Sequence, residues 1–141
     1  MTKYLLDTNI VSDATKPQPA AAPVEWLACQ ADSDLFMATW TIAEIYRGIL
    51  QKDAGRKRRE LESWFTGSEG PSALFRGRIL GFDEAAALAW GRLMADGRRS
   101  SLSRRAVDMI IAATATANDC IVVTLNERNF RGAVDFFNPL S

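Results

Sequence analysis

Residues 4–13 read YLLDTNIVSD, which is an apolar run, then a carboxylate, then a pattern typical of a short helix. A continuous apolar run of this length is expected of a strand that is buried on both faces of a parallel sheet. Asp7 falls where that strand would end. Ligands of open α/β sheets bind outside the carboxyl ends of the strands, so Asp7 is the first candidate for a functional residue.

The composition is that of a globular protein. The 141 residues are 48% hydrophobic and 24% charged, which excludes a disordered or collagen-like chain. We expect residues 1–141 to form a single domain, because a chain of this size can bury roughly 68–70% of its unfolded surface without disulfide bonds or structural metal ions. No apolar run approaches the roughly 20 residues of a membrane helix, and Asp7 comes too early for a signal peptide. The two cysteines form no disulfide framework, so we expect a cytoplasmic protein that does not contact a membrane.

The chain contains no histidine. This excludes Ser-His, Cys-His and His-His mechanisms, including RNA cleavage by a histidine acid and base. Any chemistry must therefore use carboxylates, metal ions or water.

The cations are mostly arginine, which accounts for 13 of the 17 lysine and arginine residues. They cluster at 56–59, at Arg76 and Arg78, and within 98–105. The planar guanidinium group suits phosphate, so these clusters can form a track for a nucleic-acid backbone. The alternative is a solvated face in which the cations pair with Glu60 and Glu62.

Helical and strand patterns alternate along the chain. Buried strands are predicted at 4–6, 35–38, 78–82 and 120–124, with an edge strand at 134–137. Helices are predicted at 8–14, 24–30, 42–50, 56–65, 84–94 and 105–117. Lys16-Pro17-Gln18-Pro19 ends the first helix, Pro23 is expected as the first residue of the second, and Asp83 caps the fifth, while 66–71 and 96–103 have the composition of loops. This alternation predicts a parallel sheet with right-handed crossovers.

Glu44 has two interpretations. Thr41 followed three residues later by Glu44 forms a capping box, which predicts a structural role at the start of the helix. A glutamate in the first turn of a helix that follows a buried strand also lies at the carboxyl edge of the sheet, near the expected place of Asp7.

Asp108 and Asn126 complete the candidate set. Asp108 opens a helix that is apolar nearly all round, where an ionised carboxylate needs an ion-pair partner or a metal. A salt bridge to Arg47, Arg104 or Arg105 is the structural alternative. Asn126 follows the strand at 120–124 much as Asp7 follows the first strand.

The predicted sheet brings Asp7, Glu44 and Asp108 to one edge, where three carboxylates would repel each other. Two unit charges about 4 Å apart cost about 4 kcal/mol at an effective dielectric constant near 20. A hard cation can neutralise such a cluster, and oxygen ligands without histidine or cysteine select Mg²⁺ or Mn²⁺.

Four blocks of sequence carry a resemblance to a known family. They are LDTN at 6–9, TIAEI at 41–45 with Gly48, Asp108 before IAATA at 111–115, and VTLN at 123–126 before Phe130. In this order, over nearly the whole chain, they resemble the PIN-domain ribonucleases and, more narrowly, the VapC toxins of type II toxin–antitoxin systems.

The resemblance implies a three-layer α/β/α sandwich around a central, mainly parallel sheet. It implies a Mg²⁺- or Mn²⁺-dependent endoribonuclease that acts as a toxin, is inhibited by a small antitoxin and forms a homodimer. Asp7, Glu44 and Asp108 would be the acidic, metal-binding residues. Thr8, Asn9 and Thr124 would be supporting polar residues, for which capping of turns is the alternative.

Asn126 stands where the family often has an acid. Its carbonyl can still bind a cation or orient water, but a charge is lost, so we expect a single Mg²⁺. In the implied mechanism Asp7 and Asp108 hold the metal, directly or through water, and Glu44 positions or deprotonates the attacking water. The products would carry a 5′-phosphate and a 3′-hydroxyl. Arg47 and Arg104 are the candidate contacts to RNA phosphate.

Two other classes of protein share part of this pattern. A haloacid-dehalogenase-like phosphatase also has an Asp after its first strand, but it requires an acid at position 9 and a late lysine. Here position 9 is Asn9, and no lysine follows Lys57. A non-catalytic module that binds RNA or an antitoxin is the stronger alternative, since a neutral Asn126 is also compatible with binding without turnover.

Overall fold

The computed structural model describes residues 2–15, 21–100 and 104–140. Its centre is a parallel sheet of the strands β1 (Lys3–Leu6), β2 (Leu35–Ala38), β3 (Ile79–Leu80), β4 (Cys120–Val123) and β5 (Phe136–Phe137). The order across the sheet is β3-β2-β1-β4-β5, with every neighbouring pair parallel. The predicted parallel α/β fold is therefore confirmed.

Strand β1 lies in the middle of the sheet, and the chain leaves it in two directions. It first runs outward through β2 to β3 and later returns to the other side of β1 with β4 and then β5. Neighbouring strands from which the chain diverges in this way leave a crevice beyond their carboxyl ends. Asp7 and Thr124, which directly follow β1 and β4, stand at this switch point.

Helices cover both faces of the sheet and give the three predicted layers. One face carries α1 (Thr8–Thr15), α2 (Ala21–Ala28), α3 (Thr39–Leu50), α4 (Arg56–Thr66) and the single turn α5 (Pro71–Leu74). The other face carries α6 (Glu84–Arg99) and α7 (Ala106–Ala117), which pack against each other. No helix in the described ranges is long and apolar enough to span a membrane.

Successive residues of β1 supply the two cores. Leu5 packs with Met109 and Ile111 of α7, whereas Leu6 packs with Ile10 and Val11 of α1. Side chains alternate between the faces of a strand, and both faces are covered here, which is why β1 is apolar at successive positions. Burial of each such side chain contributes about 1.5–3 kcal/mol to the stability of the fold, so β1 holds the backbone directly before Asp7 in place.

Helix α3 begins at Thr39, three residues before the predicted start. Its N-cap is Ala38, whose side chain cannot cap, and the predicted capping box of Thr41 and Glu44 is wrong. Both side chains turn instead towards Thr8 at the start of α1. Tertiary hydrogen bonds thus replace the local ones that the sequence pattern indicated.

Helix α6 is capped as predicted, since Asp83 Oδ1 accepts a hydrogen bond from the Ala86 N–H at 3.0 Å. It then continues to Arg99 through part of the predicted loop, of which 101–103 lie outside the described residues. Arg98 and Arg99 are compatible with this extension because arginine favours the helical conformation. Gly97 is explained by its packing. A Cβ at Gly97 would lie 2.7 Å from Cδ of Arg104, so the glycine makes room for that side chain.

Other predicted boundaries shift by a few residues. Helix α2 begins at Ala21 rather than Pro23, because a proline is tolerated anywhere in a first turn that makes no backward hydrogen bonds. The outer strands β3 and β5 keep only two residues each, since each pairs along one edge alone. The predicted stop at Lys16-Pro17-Gln18-Pro19 lies outside the described residues.

Candidate active site at the switch point of the sheet

Asp7 is held at the switch point by backbone and side-chain contacts. Its N–H donates to the carbonyl of Val123 at 2.9 Å, which extends the β1–β4 pairing by one bond. Its Oδ1 accepts from the Thr8 N–H at 2.8 Å, and its Oδ2 accepts from Thr124 Oγ1 at 2.9 Å. Each carboxylate oxygen is thereby fixed, and only 9% of the residue is exposed.

Burial is the largest influence on this carboxyl group and raises the pKa of Asp7 above its ordinary value. The hydrogen bonds from Thr124 and Thr8 oppose that rise, because they favour the charged form. The neighbouring charges of Asp108 and Glu44 raise the pKa further. A carboxyl group perturbed by burial and like charges in a crevice is a mark of a functional site.

Thr8 fixes Glu44. Thr8 Oγ1 donates to Glu44 Oε1 at 2.6 Å, and it lies 3.1 Å from Thr41 Oγ1. A hydroxyl has one proton, so Thr41 must be the donor in the second contact. This chain of hydroxyls joins the start of α1 to α3. Thr41 was assigned only a capping role from the sequence, although its full burial requires a partner of this kind.

Asp108 lies in the first turn of α7 and is only partly satisfied. Its buried Oδ2 has no hydrogen-bond partner among the described residues, and the nearest cation, Arg105 Nε, lies 3.6 Å away. Burial raises the pKa of Asp108, Arg105 lowers it, and Glu44 raises it again. Arg105 is 67% exposed, so the structural ion pair considered above exists but contributes at most about 1 kcal/mol.

These contacts place Asp7, Glu44 and Asp108 in one electrostatic neighbourhood. Within the described part of the chain, no three acidic side chains converge as a complete set of metal ligands in their present orientations. Mg²⁺ does not need such a set, because it keeps several waters and uses one or two carboxylates. The all-oxygen donors and the unpartnered Asp108 Oδ2 therefore fit a hard cation.

The two candidate asparagines, Asn9 and Asn126, are both exposed. Asn126 is exposed, and its backbone N–H donates to Thr124 Oγ1 at 2.9 Å. Thr124, rather than Asn126, occupies the position after β4 that corresponds to Asp7 after β1. Asn9 is exposed on α1 and lines a groove that contains Glu44. The catalytic role of Asn126 stays a prediction.

The candidate phosphate contacts have different surroundings. Arg47 is exposed and lines the same groove as Glu44. Arg104 instead donates from Nη1 to the Leu93 carbonyl and from Nη2 to the Gly132 carbonyl at 2.9 Å. Its guanidinium group joins α6 to the segment before β5, so the structure gives Arg104 a structural role.

Arg104→Met is expected to lower the free energy of unfolding by about 1.5–3 kcal/mol, because it removes charge-assisted hydrogen bonds and keeps an apolar stem. Urea denaturation measures this loss. The control is Arg98→Met, an exposed change at the end of α6, which should stay within about 0.5 kcal/mol of the wild type. Unaltered stability together with weakened RNA binding in Arg104→Met would contradict the structural assignment.

Known proteins resemble this chain over nearly its whole length. The PIN domain family matches residues 4–134. Toxin FitB from Neisseria gonorrhoeae is 35% identical over 136 residues, and VapC ribonuclease Y4jK from Sinorhizobium fredii is 32% identical over 136 residues. Each alignment covers 96% of this chain and 96% of the relative.

The fold agrees with solved structures. FitAcB from Neisseria gonorrhoeae has a TM-score of 0.86 at 33% identity and covers 97% of this chain and 98% of its own. DNA-bound VapBC from Salmonella typhimurium has a TM-score of 0.76 at 23% identity, covers 99% of both chains, and supports the fold alone. The match across residues 4–134, together with the carboxylates at the switch point, shows that this chain belongs to the PIN-domain family.

Proposed function

We propose that this protein is a Mg²⁺- or Mn²⁺-dependent endoribonuclease and the toxin of a type II toxin–antitoxin module. It acts in the cytoplasm as a homodimer, and a small antitoxin inhibits it. The observation that carries the nuclease proposal is the buried Asp7 carboxylate, which shares the switch point with the charges of Glu44 and Asp108. The names of the relatives, a VapC ribonuclease and a toxin, support the reaction and the biological role.

Asp7 and Asp108 are the residues that would hold the cation. Asp7 is oriented by Thr8 and Thr124, and Asp108 has a buried oxygen without a hydrogen-bond partner among the described residues. A divalent cation bound there would lower the pKa of a water molecule and offset negative charge on the phosphate. It would also relieve the repulsion among the three carboxylates.

Glu44 is the proposed general base. The Thr8 hydroxyl fixes Oε1, so the side chain is oriented before substrate binds. In the reaction, Glu44 accepts a proton from water as the water oxygen forms a bond to phosphorus. The bond between phosphorus and the 3′ oxygen breaks, and that oxygen takes up a proton. The products are a 5′-phosphate and a 3′-hydroxyl, and the RNA 2′-hydroxyl is not a nucleophile.

Incubation of the purified protein with total RNA tests this proposal. We expect cleavage with Mg²⁺ or Mn²⁺ and none with EDTA, and the new 5′ ends should carry phosphate, measured by digestion with a 5′-phosphate-dependent exonuclease. A 2′,3′-cyclic phosphate in the products would contradict the mechanism. RNA binding without cleavage under all these conditions would favour the non-catalytic module instead.

A further inference from the structure

A groove of about 720 Å³ runs between α1, α3 and α4 and contains Glu44 in its wall. Its volume lies within the roughly 300–1,000 Å³ typical of ligand sites. Helix α1 contributes Thr8 and Asn9, and α4 contributes Leu61 and Trp64. The groove therefore opens directly from the proposed general base.

The rim of the groove is cationic. Arg47, Lys52 and Lys57 line it, are exposed, and have no carboxylate partner among the described residues. The acid on the α4 side, Glu60, is already paired with Arg56 at 3.0 Å. The three unpaired cations of the lining therefore outnumber Glu44, the one acid of the lining that has no cationic partner among the described residues.

The middle of the α3 wall is Gly48. Glycine in the interior of a helix lowers the stability of that helix. A Cβ at this position would meet no atom within 4 Å, so packing within the fold does not require a glycine here. The absence of a side chain leaves α3 open to close approach by a ligand.

We propose that the groove binds the sugar–phosphate backbone of the RNA on one side of the scissile phosphate. Arg47, Lys52 and Lys57 contact phosphates, and the open wall at Gly48 lets the strand approach α3. This inference rests on the proposed endoribonuclease function. A polyanion fits better than an apolar peptide, because the rim cations are exposed, whereas Ile45 and Ile49 of the lining are buried and Leu61 and Trp64 are only partly exposed.

The first experiment measures binding of a fluorescein-labelled single-stranded RNA in EDTA, where metal-dependent cleavage cannot occur. The variant is the pair Lys52→Gln and Lys57→Gln. Each phosphate contact of a single strand contributes about 0.7 to the slope of log affinity against log salt, so the slope should fall in magnitude by about 1.4. The control pair, Arg98→Gln and Arg99→Gln, removes the same charge from the exposed end of α6 and should leave the slope unchanged.

The second experiment fills the groove without removing charge. Gly48→Leu places a side chain in the open space, and Gly91→Leu is its matched control, because Gly91 is also exposed in a helix with no atom within 4 Å of a Cβ. Both variants should melt at or above the wild-type temperature, since leucine favours helix over glycine. Only Gly48→Leu should weaken RNA binding.

Equal slopes for the two charge pairs, or equal RNA affinity for the two leucine variants, would overturn the groove proposal. These measurements contain no cleavage step, so the groove can fail while metal-dependent cleavage is retained, and cleavage can fail while the groove still binds RNA.

Discussion

Asp7→Asn is expected to abolish RNA cleavage and, without divalent cations, to raise the free energy of unfolding at neutral pH. Cleavage should fall by at least about 10²–10³-fold, the cost of losing one charge-stabilising group from an active site. Stability should rise because asparagine removes a buried charge beside Asp108 and Glu44, and burial outweighs the hydrogen bond from Thr124 that the amide nitrogen cannot accept. A residue whose replacement harms activity and helps stability serves the site rather than the fold.

The stability effect of Asp7 depends on pH. Burial raises its pKa in the folded state, so the folded protein holds this proton more tightly than the unfolded chain does. The contribution of Asp7 to stability is therefore complete below its unfolded pKa of 3.8 and is lost as the pH rises through the higher pKa of the folded state. The advantage of Asp7→Asn should grow from acidic to neutral pH.

Urea denaturation in EDTA across this pH range measures that advantage. Asp53→Asn, at an exposed position between α3 and α4, is the control and should track the wild type within about 0.5 kcal/mol. If Asp7→Asn were destabilised to the same extent at acidic and neutral pH, Asp7 would be a structural cap and not a strained catalytic carboxylate.

Thr124→Val is expected to impair both the fold and the site. The side chain is fully buried, and its hydroxyl donates to Asp7 while accepting from the Asn126 N–H. Valine has the same shape without the hydroxyl. Each buried group left without a partner costs about 1–3 kcal/mol. Removing a partner that orients a metal ligand lowers metal affinity or activity by about 10–100-fold.

Thr124→Ser separates the positioning role from packing, because it keeps the hydroxyl and loses only a methyl group. The serine variant should recover most of the cleavage, and its Mg²⁺ concentration for half-maximal activity should stay near the wild-type value, whereas valine should raise that concentration. If serine and valine impaired cleavage equally, packing by the Thr124 methyl group would explain the effect, and hydrogen bonding to Asp7 would not.

Much of the fold was predictable because it depends on local patterns. The apolar runs before Asp7 and Asn126 gave β1 and β4, and the regular alternation of elements gave the parallel sheet. The place of Asp7 at the carboxyl edge followed from that sheet alone. The length of α6 did not follow, because Gly97 is explained only by its contact with Arg104.

The contacts that orient the site could not be predicted, because their partners are distant in sequence. Thr8 and Glu44 are 36 residues apart, and Thr124 and Asp7 are 117 residues apart. The capping-box pattern assigned Glu44 a local partner, so the sequence did not indicate its hydrogen bond with Thr8. The contacts of Arg104 could not be predicted either, because its partners are backbone carbonyls, which a sequence pattern does not reveal.

The most direct test of the central claim, that the carboxylates at the switch point bind a divalent cation, is the midpoint of thermal unfolding. It is measured for the wild type and Asp7→Asn over a series of Mg²⁺ or Mn²⁺ concentrations. A cation that binds only the folded state stabilises it by about 2.7 kcal/mol at 100 times its Kd. We expect the wild-type midpoint to rise with metal and that of Asp7→Asn to stay constant. Midpoints that do not respond to metal, or that rise equally in both proteins, would contradict the claim.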